Sequence, residues 1–254
     1  MSGNDDAGNN DVGNNDTAEA RQRRLHDNLA QTKARIAQAA QEAGRDAEEI
    51  TLLPVTKFHP AEAIAALAGL GETDVAENRE QEARSKAEQL PDVRFHMIGQ
   101  VQTKKANSVA RWAYSVHSVD SAKLADALDR GVGLAIEREQ RPADFVLPVF
   151  LQLSVDGDAS RGGLPADELS ELADHVVKLE HLELAGVMVV PPLEADAAAV
   201  FRAARGLCDD LATRVGRRLR LSAGMSADLN EAIAAGSDIV RVGTGIMGKR
   251  PVAF

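Results

Sequence analysis

The stretch from residue 184 to residue 243 alternates short apolar runs with a longer segment of helical pattern. The apolar runs are LAGVMVV (184–190), LRLSA (219–223) and IVRVG (239–243). Between the first two runs, apolar residues recur at helical spacing, at Val200, Ala204, Leu207 and Leu211. Strands that alternate with helices along a chain favour parallel pairing with helical crossovers. This stretch therefore predicts an α/β fold.

The same rhythm extends back to residue 50. The runs are Ile50–Thr56, Thr73–Glu77, Val93–Gly99, Tyr114–Ser118, Val146–Val155, Leu184–Val190, Leu219–Ala223 and Ile239–Gly243. Eight strand–helix units in a chain of this length are typical of a (β/α)8 barrel. A doubly wound open sheet is the alternative, but it usually has fewer strands, and no GxGxxG motif follows the first run. We predict one barrel domain over residues 18–254.

The N-terminal region has a different composition. Residues 3–17 repeat a five-residue unit as GNDDA, GNNDV and GNNDT, which has too few apolar residues to offset the entropy of ordering. We expect residues 1–17 to be a disordered tail. After it, Leu25, Leu29, Ile36 and Ala40 follow a helical pattern that Gly44 ends, which predicts an extra N-terminal helix.

Composition excludes several classes of function. The chain has 29 Lys and Arg against 39 Asp and Glu, and its net charge of −10 argues against nucleic-acid binding. Its one cysteine excludes an internal disulfide framework. No apolar run approaches the roughly 20 residues that span a bilayer, and no signal peptide is visible. We expect a cytoplasmic protein with no membrane or nucleic-acid partner.

Lys57 is the first candidate functional residue, because it ends an apolar strand and functional groups of this barrel cluster at the carboxyl ends of its strands. A partly desolvated amine loses proton affinity and can form a Schiff base with a carbonyl compound. The alternative is a lysine whose amine simply reaches solvent.

The loops after the seventh and eighth strands form the second candidate feature. Gly243-Thr244-Gly245 lets backbone N–H groups approach an anion closely. Ser226 stands where it could cap the helix that follows, and helix N-termini favour anions. Either loop alone would be read as an ordinary loop with no ligand. Together, however, the two loops occupy the position where barrels of this fold frequently bind phosphate. We therefore predict a phosphate site.

Arg241 and two histidines lie inside strands. Arg241 faces the opposite side of its strand from Val240 and Val242, so it is either a structural ion-pair partner or the partner of a heteroaromatic cofactor nitrogen. His96 and His117 lie on adjacent strands but lack a third zinc ligand nearby, which argues against a metal site. A hydrogen-bonded or cofactor-stacking role is the better prediction for them.

Seven segments together resemble the pyridoxal phosphate homeostasis proteins, single barrels similar to the N-terminal domain of bacterial alanine racemase. The segments are LLPVTK (52–57), ENREQE (77–82), FHMIGQVQ (95–102), HSVD (117–120), GVMVVPP (186–192), LSAGMSADLNEAIAAGS (221–237) and VRVGTGIMG (240–248). The resemblance implies a protein that binds pyridoxal 5′-phosphate as a Schiff base on Lys57. The other binding residues that it implies are Asn78, His96, Ser222, Met225, Ser226, Arg241, Gly243 and Thr244.

The resemblance also implies a role for each group. Ser226, Gly243 and Thr244 would hold the phosphate, with Ser222 and Met225 close by. Arg241 would face the pyridine nitrogen, and Asn78 and His96 would line the pocket.

We expect storage or delivery of the cofactor rather than catalysis, with no catalytic residue and no metal. Arg241 cannot accept a proton from the ring nitrogen, so the cofactor would be a weak electron sink. The one tyrosine, Tyr114, opens the fourth strand, away from the mouth of the barrel. The alternative is an enzyme, either a weak amino-acid racemase or a Schiff-base lyase. We expect a monomer whose partners are the cofactor and cofactor-dependent apoenzymes.

Overall fold

The computed structural model describes residues 18–158 and 161–248, and within them eight strands form one parallel sheet. The strands are β1 (Thr51–Pro54), β2 (Asp74–Glu77), β3 (Arg94–Met97), β4 (Ala113–Val119), β5 (Leu147–Leu153), β6 (Leu182–Val189), β7 (Arg220–Ser222) and β8 (Ile239–Val242). They pair in the order β1-β8-β7-β6-β5-β4-β3-β2, and a bridge between Val55 and Ala76 joins β1 to β2. The predicted (β/α)8 barrel is confirmed. The predicted tail, residues 1–17, lies outside the described residues.

Helices separate the strands and surround the sheet. They are α1 (Ala18–Glu42), α2 (Ala61–Gly69), α3 (Glu80–Gln89), α4 (Ala106–Trp112), α5 (Ala122–Glu137), α6 (Leu169–Val176), α7 (Ala197–Val215), α8 (Leu229–Ala234) and α9 (Thr244–Met247). Every strand is thus followed by a helix, which is the connection that parallel pairing requires.

Strands of this barrel are apolar on both faces because each face is buried. On β5, Phe150 packs with Leu53 in a cluster inside the barrel, whereas its neighbours Val149 and Leu151 join the outer cluster that contains Phe201 of α7. Side chains alternate between the two sides of a strand. This alternation explains why the strands read as unbroken apolar runs in the sequence.

The extra N-terminal helix is also confirmed. Leu25 and Ile36 of α1 are buried in a cluster with Ile233 of α8 and Ile246 of α9. Gly44 follows the helix with φ of +65°, a left-handed conformation that glycine adopts without strain. Helix α1 therefore packs across the last two helices of the barrel, next to the loops that follow β7 and β8.

Candidate functional site

Lys57 and the loop after β8 lie side by side at the mouth of the barrel. Strands β1 and β8 are neighbours, and the Val55 backbone N–H donates to the Val242 carbonyl at 2.9 Å. A Cβ built on Gly243 would lie 3.6 Å from the Val55 side chain. Lys57 follows Val55 by two residues and is half-buried. The structure thus brings the amine-bearing residue next to the Gly-Thr-Gly loop.

The turn after Lys57 has a strained residue that a carboxylate holds in place. Phe58 has φ of +70°, in the left-handed region that costs a residue with a Cβ about 1 kcal/mol or more. Its backbone N–H donates to Glu82 Oε1 at 2.7 Å. Glu82 belongs to α3, so this helix fixes the direction in which the chain leaves Lys57.

A buried ionic cluster lies beneath the same turn. Lys86 Nζ donates to Glu77 Oε1 and Glu82 Oε1, both at 2.7 Å, and to the Thr56 carbonyl at 3.2 Å. The Thr56 hydroxyl also donates to Glu77 Oε1 at 2.6 Å. Burial raises the pKa of Glu77, and the hydrogen bonds from Lys86 and Thr56 oppose that rise.

Glu77, Glu82 and Lys86 were not among the functional residues predicted from the sequence. The ENREQE segment contains Glu77 and Glu82, and Lys86 follows Glu82 at the i,i+4 spacing of a helical ion pair. That spacing was a usable signal. The burial of Lys86 beneath Lys57 could not be predicted from the sequence, because it depends on how α3 packs against β1 and β2.

The loops after β7 and β8 touch each other. A Cβ built on Gly245 would lie 3.5 Å from the Ser226 hydroxyl oxygen and 3.8 Å from Thr32 Oγ1 of α1. Thr244 and Gly245 are exposed and begin α9, where the first N–H groups of a helix have no intrahelical acceptor. Hydroxyl and backbone donors from the two loops therefore lie close together.

The predicted helix cap at Ser226 is wrong. Helix α8 begins at Leu229, and Asp228 occupies its cap position. The Asp228 side chain instead accepts a hydrogen bond from the Met225 backbone N–H at 2.6 Å, which closes a turn before the helix. Ser226 lies within this turn, and Met225 is 40% exposed at the rim.

Arg241 lies at the centre of the barrel and is buried. Its Nη1 donates to the Ser222 hydroxyl at 2.8 Å and its Nη2 to the Val189 carbonyl at 3.0 Å. Burial lowers the pKa of Arg241 to about 10, which leaves the guanidinium charged at neutral pH. Within residues 18–158 and 161–248, no carboxylate lies within ion-pair distance of it, so the alternative of a structural ion pair lacks support there.

Two other predicted binding residues lie deeper than the mouth. The Ser222 hydroxyl is buried against Arg241, and His96 bonds to Asp74 and Ser115, which lie near the amino-terminal ends of β2 and β4. Both side chains lie inside the barrel, but a residue's place in the sequence of a strand did not show how far below the mouth it would lie. Neither side chain reaches the loops after β7 and β8 through a hydrogen bond that the described structure contains.

A cavity of about 440 Å³ opens at the mouth of the barrel, between the carboxyl ends of β2, β3, β5 and β6. Asn78, Gln152 and Met188 line it, and Arg161 closes one side by donating to the Val190 and Pro191 carbonyls at 2.9 Å each. Asn78 is tied into the wall, since a Cβ on Gly99 would overlap its backbone carbonyl. The mouth therefore has room for a small molecule next to Asn78.

The tyrosine lies at the opposite end of the barrel. Tyr114 opens β4 and is 42% exposed, with its ring centroid 5.2 Å from His96 and 5.1 Å from the Arg94 guanidinium carbon. The sequence prediction of its place is confirmed. This phenol lies too far down the barrel to exchange a proton with a group at the mouth.

Among the described residues there is no cluster of three or more potential metal ligands. The His96 and His117 rings meet edge to face at 5.8 Å, and each ring also bonds to the Ser115 hydroxyl. In the same described part of the chain, none of the helices has the length and apolar character needed to cross a bilayer.

Known proteins resemble the chain over most of its length. The alanine racemase N-terminal domain family matches residues 28–251. A pyridoxal phosphate homeostasis protein of Corynebacterium glutamicum is 54% identical over 221 residues, which cover 87% of this chain and 100% of the relative. The structure of PipY from Synechococcus elongatus with PLP bound is 32% identical with a TM-score of 0.71, covering 84% of this chain and 100% of PipY.

A more distant structure shares the fold alone. Alanine racemase of Clostridium difficile is 17% identical with a TM-score of 0.66, covering 90% of this chain and 57% of the racemase. The resemblance predicted from the sequence segments is thereby confirmed at the level of the family. The chain belongs to the pyridoxal phosphate homeostasis protein family, whose barrel is that of the alanine racemase N-terminal domain.

Proposed function

We propose that this protein binds pyridoxal 5′-phosphate at the mouth of the barrel and serves the intracellular homeostasis of that cofactor by storing or delivering it. One observation carries the proposal. Lys57 follows β1 beside the Gly243–Thr244 loop that follows β8, and the buried guanidinium of Arg241 on β8 lies below them. The relatives named for this cofactor, and PipY with PLP bound, support the same ligand.

The donor set suits that cofactor. Pyridoxal phosphate offers an aldehyde that can form a Schiff base with an amine, a pyridine nitrogen and a phosphate dianion. Lys57 supplies the amine, and Ser226, Gly243 and Thr244 supply hydroxyl and backbone donors for an anion. Arg241 supplies a donor for the ring nitrogen, and it presents no acceptor.

The remaining predicted binding residues have two kinds of role in this proposal. Asn78 and Met225 lie at the mouth, where they would contact the cofactor directly. Ser222 and His96 would act from below, because Ser222 bonds to Arg241 and His96 lies further down the barrel. We propose a monomer as the binding unit.

We propose further that the protein holds the cofactor without using it in catalysis. Carbanion chemistry usually uses a protonated ring nitrogen as an electron sink, and Arg241, which only donates, has no acceptor for the N–H of that nitrogen. A racemase also needs a second acid or base across the substrate, and Tyr114 lies at the far end of the barrel.

The binding proposal is tested by titrating the apoprotein with pyridoxal phosphate and following the visible absorption. Wild type should develop a saturable band that Lys57→Ala abolishes. Lys123→Ala, which removes an exposed lysine on α5, should match wild type. Equal bands in wild type and Lys57→Ala would show that the cofactor binds elsewhere.

The absence of catalysis is tested separately by chiral analysis of alanine incubated with the loaded protein. We expect no racemisation above that of free cofactor at the same concentration. Robust racemisation that disappears in Lys57→Ala would overturn the carrier proposal and support the alternative of a weak racemase. Delivery is tested by reactivation of a cofactor-free enzyme, which loaded wild type should achieve faster than loaded protein sealed behind a dialysis membrane.

A further inference from the structure

A continuous chain of hydrogen-bonded side chains crosses the inside of the barrel. Its members, which we call the inner chain, are Asp74, His96, Ser115, His117, Ser222 and Arg241. They come from five different strands, and in the proposed site Arg241 is the member that would contact the cofactor directly. The inner chain runs from the amino-terminal end of β2 to the guanidinium beneath the mouth.

The lower half of the inner chain starts at a carboxylate. Asp74 Oδ1 lies 2.9 Å from His96 Nε2, and His96 Nδ1 lies 2.7 Å from the Ser115 hydroxyl oxygen. Arg94 pairs with the same carboxylate through two nitrogens. Hydrogen bonds from His96 and Arg94 outweigh partial burial and lower the pKa of Asp74 to about 2, so it is ionised at neutral pH.

The upper half of the inner chain ends at a cation. The Ser115 hydroxyl oxygen lies 2.9 Å from His117 Nε2, and His117 Nδ1 lies 3.0 Å from the Ser222 hydroxyl oxygen, which accepts from Arg241 Nη1 at 2.8 Å. His117 is buried, and its ring lies 4.2 Å from that of Phe150. Burial, reinforced by His96, Arg241 and Arg220, holds the pKa of His117 well below its usual value, so this imidazole is neutral.

When both imidazoles are neutral, the two ends dictate the direction of every hydrogen bond between them. A guanidinium can only donate and a carboxylate can only accept. Each hydroxyl and each neutral imidazole has one hydrogen to give. All five bonds are satisfied together in one arrangement. Arg241 donates to Ser222, and Ser222 donates to His117 Nδ1. His117 Nε2 then donates to Ser115, Ser115 to His96 Nδ1, and His96 Nε2 to Asp74. In that arrangement His117 carries its hydrogen on Nε2.

We propose that the inner chain is a positioning network that fixes His117 as the Nε2–H tautomer and thereby holds the Ser222 hydroxyl as an acceptor for Arg241. Its consequence for the pocket rests on the proposed function, because Arg241 faces the cofactor only if the cofactor binds at the mouth. Ser115, which lies deep in the barrel on β4, then becomes a determinant of cofactor binding although it touches no part of the mouth.

Strand β4 itself supplies a matched control. Ser118 is as buried as Ser115, but its hydroxyl donates to the Gly99 carbonyl at 2.6 Å and takes no part in the inner chain. Ser115→Ala and Ser118→Ala therefore remove the same atom from the same strand. Only the first breaks the link between the two histidines.

The first test uses the apoprotein and needs no cofactor. Imidazole ¹⁵N NMR at about pH 8 distinguishes the two neutral tautomers of a histidine. We expect His117 of wild type to carry its hydrogen on Nε2, to lose that preference in Ser115→Ala and to keep it in Ser118→Ala. A wild-type His117 with its hydrogen on Nδ1 would overturn the proposal even if neither variant folds.

The second test measures cofactor dissociation by equilibrium dialysis, with near-UV circular dichroism of each apoprotein as the check on folding. We expect Ser115→Ala to raise the dissociation constant about fivefold and to change the absorption spectrum of the bound cofactor, with Ser118→Ala within about twofold of wild type. Unchanged affinity and spectrum in a folded Ser115→Ala would contradict the proposal. Failure of wild type to bind the cofactor would instead reject the proposed function and leave the tautomer result standing.

Discussion

At the scale of single residues, Lys86 shows how a side chain outside the mouth can shape it. Its ammonium is buried between Glu77 and Glu82 and also binds the carbonyl that precedes Lys57. Glu82 in turn holds the strained Phe58 that follows Lys57. The backbone on both sides of Lys57 is therefore fixed by one ionic cluster. Losing the cation would leave the Glu77 carboxylate buried and unpaired.

We predict that Lys86→Met lowers the free energy of unfolding by about 3–5 kcal/mol at neutral pH, the cost of breaking a buried pair. Without Lys86 the folded-state pKa of Glu77 rises further above its unfolded value. The folded protein then binds a proton that the unfolded chain does not, so the loss should grow as pH rises from about 5 to 8. Urea unfolding of wild type and Lys86→Met at about pH 5 and about pH 8 measures the loss of free energy at each pH, with Lys123→Met as the control. A loss independent of pH would contradict the prediction.

At the scale of elements, α1 braces the two loops that we assign to the phosphate. Arg35 donates to the Ser226 carbonyl at 2.6 Å and to Asn230 Oδ1 at 2.8 Å, and Asn28 donates to the Ile246 carbonyl at 3.0 Å. The sequence predicts α1 from its apolar face. It gives no signal for these polar contacts, since about 190 or more residues separate the partners along the chain.

We predict that Arg35→Ala raises the dissociation constant of pyridoxal phosphate about tenfold, because the loop of Ser226 loses a charged hydrogen-bond donor. Arg23→Ala removes an exposed arginine from the same helix and should leave the constant unchanged. Equilibrium dialysis of both variants gives the comparison. Equal affinities would show that α1 does not support the phosphate loops.

At the scale of the whole molecule, the barrel has a polar centre and this makes its stability sensitive to acid. Burial first, and neighbouring cations second, hold the pKa values of His117 and His59 below the usual one. An unfolded histidine titrates near pH 6.5. Below that pH the unfolded chain binds protons that the folded protein refuses, so stability present above pH 6.5 is lost as the pH falls.

We predict that the free energy of unfolding of wild type falls between about pH 7.5 and 5.5, and that His117→Gln reduces the slope by up to about 1.4 kcal/mol per pH unit. His26→Gln, which changes an exposed histidine, should keep the wild-type slope. Urea unfolding of wild type, His117→Gln and His26→Gln across this pH range measures the three slopes. A His117→Gln slope equal to that of wild type would show that His117 is not held neutral in the fold.

The fold was predictable from the sequence because eight buried strands and their helices repeat a simple pattern along the chain. Lys57 was predictable as a residue at the mouth because it follows an apolar strand, and Arg241 as a residue inside the barrel because it interrupts one. Three features were not predictable from the sequence: the depth of His96, the turn around Ser226 and the ionic cluster beneath Lys57. Each depends on the height of a residue along the barrel or on packing between distant segments, and periodicity reports neither.

We propose above all that Lys57 is the residue that holds the cofactor. Borohydride reduction of the protein loaded with pyridoxal phosphate, followed by peptide mapping with mass spectrometry, tests it most directly. We predict one reduced pyridoxyl adduct, on the peptide that contains Lys57, and none in Lys57→Ala. An adduct on a different lysine, or a cofactor that stays bound without any reducible link, would contradict the account.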